Sequence, residues 1–124
     1  MTTDELLFFG EWPSLIEIYE TLKTKLESCF PEMTVKVSKT QISFFGKYMF
    51  AMVSLPVRRK KDWPKEFLMV SFGLDHEKAE PGIALRVQAR KNRWTHHVLV
   101  ENPEGLDDRL MEWLQEAYEF AQRK

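Results

Sequence analysis

Residues 83–90 read Ile83-Ala84-Leu85-Arg86-Val87-Gln88-Ala89-Arg90, and residues 93–98 read Arg93-Trp94-Thr95-His96-His97-Val98. In the first stretch Ile83, Leu85, Val87 and Ala89 alternate with Ala84, Arg86, Gln88 and Arg90, a period of two that predicts a strand with one apolar and one polar side. The second belongs to a strand over about Trp94 to Val100. Alternation there sets Trp94, His96 and Val98 on one side, the better candidate for the core, and Arg93, Thr95 and His97 on the other. Strands with an apolar side need a second layer to bury it, so the flanking segments decide the fold.

Upstream, the pattern stays at period two. Phe67 to Phe72, ending at Gly73, reads as a strand, and Tyr48 to Leu55 is apolar on both faces, as a central strand is. Val35 with Val37, and Ile42 with Phe44, read as short strands, and Phe45-Gly46-Lys47 as a turn. Before them the period lengthens. Pro13 suits a first helical turn, and Trp12, Leu15, Ile16, Tyr19, Leu22 and Leu26 fall on one helical face that stops near Cys29 at Pro31. Leu6 to Phe9 form a short lead with no assigned element. Downstream, Asn102-Pro103-Glu104-Gly105 is turn chemistry. Asp107 caps a last helix with an apolar stripe of Leu110, Met111, Leu114, Ala117, Tyr118 and Ala121.

The order helix, strands, helix predicts an α+β fold of two layers. N-terminal and C-terminal helices pack on one face of a largely antiparallel sheet of about five or six strands, as a single domain over residues 1–124. At 124 residues and 44% hydrophobic, the chain has the apolar mass for one core. No apolar run approaches the roughly 20 residues of a transmembrane helix, and the acidic start MTTDELLFFGEW is unlike a signal peptide. Cys29 is the sole cysteine, which excludes an intrachain disulfide and fits a reducing cytoplasm, with the thiol packed as a small apolar group.

The formal charge is only −1, but it is unevenly spread. Residues 1–30 hold 2 basic and 6 acidic side chains and residues 101–124 hold 3 and 7, whereas residues 31–100 hold 13 and 6. The expected sheet is therefore basic and the expected helices acidic. If the helices cover one face, positive charge gathers on the other and attracts anions. Arg93 and His97 are the leading ligand-facing pair, a guanidinium fork beside an imidazole that titrates near neutrality. Arg86, Gln88 and Arg90 are expected to extend that patch, and Lys39, Gln41 and Ser43 to line the polar side of the early hairpin. His96 is expected to be a buried structural histidine.

Signals for chemistry are sparse. Neighbouring strand histidines point to opposite faces and cannot chelate one metal together, and His76 with Asp75, Glu77 and Glu80 reads as a solvated loop, so no metal site and no cofactor are expected. There is no glycine-rich phosphate loop and no Gly-x-Ser-x-Gly elbow. Arg58-Arg59-Lys60-Lys61 beside Trp63 has a composition able to hold phosphates and stack bases.

Taken in order, FFGEWPSLIEIYETL, KTQISFFGKYMFAMVSLP, EFLMVSFGL and RWTHHVLVENPEGLDDRLMEWLQEAY resemble the bacterial domain-of-unknown-function (DUF) family 5655, over roughly Phe8 to Ala121. The resemblance implies a small α+β domain with no assigned reaction, and it draws attention to Lys39, Ser43, Arg93, His96 and His97. The expected function is a cytoplasmic binding or accessory domain that holds an anionic small molecule or nucleic acid at Lys39, Ser43, Arg86, Arg93 and His97. One alternative is a small enzyme with a histidine of RWTHHV as general acid or base. Another is an interaction module that forms a homodimer.

Overall fold

The computed structural model describes residues Met1–Lys124. Its elements are α1 (Thr3–Phe9), a 3-10 turn (Pro13–Leu15), α2 (Ile16–Cys29), β1 (Thr34–Val37), β2 (Ile42–Phe45), β3 (Met49–Ser54), β4 (Leu68–Leu74), β5 (Leu85–Arg90), β6 (Arg93–Val100), a second 3-10 turn (Pro103–Gly105) and α3 (Asp108–Gln122). The six strands form one antiparallel sheet in the order β1-β2-β3-β4-β6-β5. This is the expected two-layer α+β architecture. No helix is long and apolar enough to cross a membrane.

Two adjacent rows of side chains run across all six strands and define the faces. Val35, Phe44, Ala51, Phe72, His96 and Arg86 are register partners on the helix side, whereas Lys36, Ser43, Met52, Ser71, His97 and Leu85 are partners on the opposite, open side. The helix-side row feeds one core cluster of 25 buried residues, joined by Leu15, Ile18, Tyr19, Leu22 and Leu26 of the α2 segment and by Leu110, Trp113, Leu114, Ala117 and Ala121 of α3. The Asp107 carboxylate accepts from the Leu110 N–H at 2.9 Å and caps α3 as its position predicts.

Three expectations need correction. The lead before Pro13 is helical: Thr2 and Glu5 form a reciprocal capping box, and the Glu5 side chain is buried. In the strand Leu85–Arg90 it is the polar side, with Arg86 opposite His96 and Gln88 opposite Trp94, that lies on the helix side of the sheet. The strand is an edge that the helices do not reach, so its Leu85 and Val87 face the open side and Val87 is 44% exposed. Cys29, expected to pack inward, is exposed at the end of α2.

A bulge shapes one end of the sheet. Phe44 pairs with Ala51 and Phe45 with Met49, leaving Phe50 as the extra residue. Phe50 turns into the core, where its ring lies 5.3 Å from Phe30 and 5.2 Å from Tyr118, themselves stacked at 4.1 Å. The ladder between β3 and β4 begins only at Ala51 and Phe72, so Gly73 and Leu74 are paired on the β6 side alone. A slot opens between them and Met49-Phe50.

Candidate functional site

The slot is partly open to solvent, holds about 150 Å³ and is lined by the strand ends Met49–Met52, Ser71–Leu74 and Arg93–Thr95, with Phe120 and Lys124 bordering it from the helix layer. Its walls are mainly apolar and its charge is at the mouth. The Arg93 guanidinium carbon lies 5.0 Å from the centre of the Phe120 ring, and the Lys124 ammonium lies 5.0 Å from the same ring. Arg123 approaches it at 5.9 Å. An aromatic face attracts cations, which explains how one ring holds three of them at the end of α3.

None of these cations, nor Arg90 nearby, forms an ion pair: every side-chain pair within 4.0 Å involves Lys23, His76, Lys78 or Arg86. One Arg93 terminal nitrogen, Nη1, donates to the Asn92 carbonyl at 2.7 Å, but its Nε is buried with no acceptor. A buried unpaired donor costs of order 1–3 kcal/mol and is rare in folded proteins. Loss of water around the Lys124 ammonium, followed by the charges of Arg93 and Arg90, pulls its pKa below the ordinary lysine value. Arg93 and Lys124 therefore border the slot with no ion-paired carboxylate, although Asp75, whose pKa is lowered first by its hydrogen bond with His76, is close enough to Arg123 for that charge to help lower it.

The two histidines part as strand geometry requires. His96 is fully buried, its ring stacked on Phe72 at 5.0 Å, and its Nε2 accepts the Lys78 N–H at 2.9 Å. Burial lowers its pKa, helped by the charges of His76, Lys78 and His97 and opposed by the Phe72 backbone. It is a neutral structural residue with Nδ1 unpaired. His97 lies on the open side, where its Nδ1 is 2.7 Å from Ser71 Oγ, and burial lowers its pKa as well.

The residues singled out from sequence do not share one concavity. Arg93 lines the slot; His97 lies on the open face, bonded to Ser71, which also lines it. Ser43 is separated from His97 by two intervening strands in the same open row, accepting from Gln41 Nε2 at 2.8 Å, and Lys39 is exposed in the loop between β1 and β2. Arg86 is on the helix side, held by Glu77 at 2.9 Å, so it cannot extend a patch with His97. The basic run Arg58–Lys61 is exposed and curves near Leu85, with Lys60 5.8 Å from the Trp63 ring. His76 is a solvated loop residue 2.7 Å from Asp75. No group of three histidine, cysteine, aspartate or glutamate side chains is placed to hold a metal ion.

Residues 8–121 match the family model described as Domain of unknown function (DUF5655). The chain belongs to the DUF5655 family. No curated protein and no solved structure matches it. In this DUF5655 chain the slot draws on Phe120 and Lys124, which sequence reasoning missed. The signal for them was the run Phe120-Ala121-Gln122-Arg123-Lys124, cations just past the end of a helix beside an aromatic ring.

Proposed function

We propose that this DUF5655 chain is a cytoplasmic binding or accessory domain that takes an anionic ligand at the sheet-end slot. Arg93 is the principal contact and Lys124 the second. The observation behind this reading is that Arg93 and Lys124, both lining the slot, have no carboxylate partner. An anion seated there supplies a counterion in a partly dry site, where a charge-assisted bond is stronger than in water.

The test is a thermal-shift screen against simple anions, phosphorylated metabolites, nucleotides and short oligonucleotides, run on the native chain, Arg93→Gln and Lys39→Ala. The reading expects stabilisation by an anion that Arg93→Gln removes and Lys39→Ala keeps. Stabilisation that survives Arg93→Gln overturns it. Oligonucleotide binding abolished by neutralising Arg58–Lys61 would move the site to that loop.

A second reading, an enzyme with His97 as general base, is supported by the 2.7 Å contact between Ser71 Oγ and His97 Nδ1. It requires Ser71 to react with a fluorophosphonate probe, and mass spectrometry showing no adduct at Ser71 would remove it.

A further inference from the structure

We infer that the ligand of the slot is a carboxylic acid carried on a single ring, an inference that rests on reading the slot as an anion site. Size decides first. At about 150 Å³ the space matches a cavity that accepts one benzene molecule, an apolar engineered cavity of about that volume being known to do so. Sites for drug-sized ligands and cofactors span roughly 300–1,000 Å³, so a nucleotide bound here would hold its base and sugar outside the slot.

Chemistry decides next. Met49, Phe50, Trp94 and Phe120 present apolar surface to the occupant, while Arg93 and Lys124 stand on one side of it. A bare inorganic anion would fill the charged mouth and leave the apolar walls wet. A neutral ring would do the reverse and leave Arg93 and Lys124 without a counterion. With Nη1 engaged by the Asn92 carbonyl and Nε covered by protein atoms, Nη2 is the guanidinium nitrogen left for an acceptor, and together with the Lys124 ammonium it offers donors to the two oxygens of a carboxylate. Gly73 completes the fit. A Cβ built there meets only the Trp94 carbonyl oxygen, at 3.9 Å, so the strand leaves space where any other residue would place a side chain.

The experiment compares benzoate, benzyl alcohol, inorganic phosphate and adenosine monophosphate at equal millimolar concentration in thermal-shift measurements on the full chain, Arg93→Gln, Gly73→Ala and Gly73→Val. Benzoate is expected to raise the Tm of the full chain by about 3 °C or more, a shift that saturates with concentration. The shift should vanish in Arg93→Gln, shrink in Gly73→Ala and vanish in Gly73→Val. Circular dichroism identifies a variant that fails to fold, and Gly73→Ala carries the test if valine is not accommodated. Phosphate or adenosine monophosphate acting through Arg93 while benzoate does not would overturn the single-ring acid and keep the anion site. No anion acting through Arg93 would overturn both. Benzyl alcohol matching benzoate, or a benzoate shift indifferent to Gly73, would also overturn the inference.

Discussion

Ser71 and His97 face each other directly across the ladder between β4 and β6, with Oγ and Nδ1 2.7 Å apart on the side of the sheet away from the helices. Ser71 is almost wholly buried, so its hydroxyl depends on the imidazole for a partner. A hydrogen bond of this kind contributes about 1 kcal/mol net, and its coupling is separable from the cost of each truncation by a double-mutant cycle. Urea unfolding of Ser71→Ala, His97→Ala and the double variant should give a coupling of about 1 kcal/mol between the two positions.

Stability should fall on mild acidification, because both sheet histidines are held neutral. Burial lowers the pKa of His96 and of His97 below the ordinary value of 6.5, so the unfolded chain takes up protons that the folded chain refuses. The contribution is complete above pH 6.5 and is lost as pH drops from there toward the lowered folded values. Unfolding free energies measured between pH 7.5 and pH 5 should decline. His96→Phe should show a shallower decline together with a lower plateau, since the Lys78 N–H then loses its acceptor.

Strand positions could be read from the sequence because apolar side chains recur every second residue between turn-forming residues. The relative orientation of neighbouring strands could not. Leu85 and Val87 share a side whichever face the sheet gives them, and the register that sets Arg86 opposite His96 and Leu85 opposite His97 arises between strands. An edge strand beyond the reach of the helices has no need to bury its apolar side. The split of His96 from His97 was legible because it needs only the geometry of one strand. The slot was not legible: it depends on a bulge at Phe50 and on Phe120 and Lys124, which arrive from the far end of α3.

Glu5 is the acidic counterpart of the histidines. It is buried, yet its carboxylate accepts from the Thr2 N–H at 2.8 Å, from the Tyr19 hydroxyl and from Lys23 at 2.9 Å. Burial pushes its pKa up, but these donors together outweigh burial and bring it down to about 2 from 4.5. Burial and the same carboxylate hold the Tyr19 hydroxyl protonated. The Glu5 contribution is thus fully present above pH 4.5 and is lost as pH falls from 4.5 toward about 2. Removing one partner of a buried charged cluster leaves the others unsatisfied, so Glu5→Ala should cost about 3 kcal/mol at neutral pH and remove that part of the acid dependence. Glu5→Gln should lose less, because an amide oxygen still accepts from Tyr19. Chemical denaturation at pH 7 and pH 3.5 checks both.

Gly46 couples the bulged end of the sheet to the last turn of α3. Gln122 Oε1 accepts the Lys47 N–H at 2.6 Å, two residues beyond Phe120 and two before Lys124. A Cβ at Gly46 would come within 2.5 Å of that same oxygen and 2.9 Å of Tyr118 Cε1, so alanine must displace the Gln122 amide from the Lys47 N–H and shift the Tyr118 ring. Overpacking of this kind typically costs about 1–3 kcal/mol. Gly46→Ala should therefore destabilise the fold. Its cost should be smaller in a Gln122→Ala background, where the nearest obstacle is gone, although Tyr118 keeps the relief partial. Tyr118 and Gln122 flank Phe120 in the last turn, the ring against which Arg93 and Lys124 rest. Anion-dependent stabilisation should consequently weaken in Gly46→Ala by more than in Lys39→Ala, and isothermal titration of the two variants measures the difference.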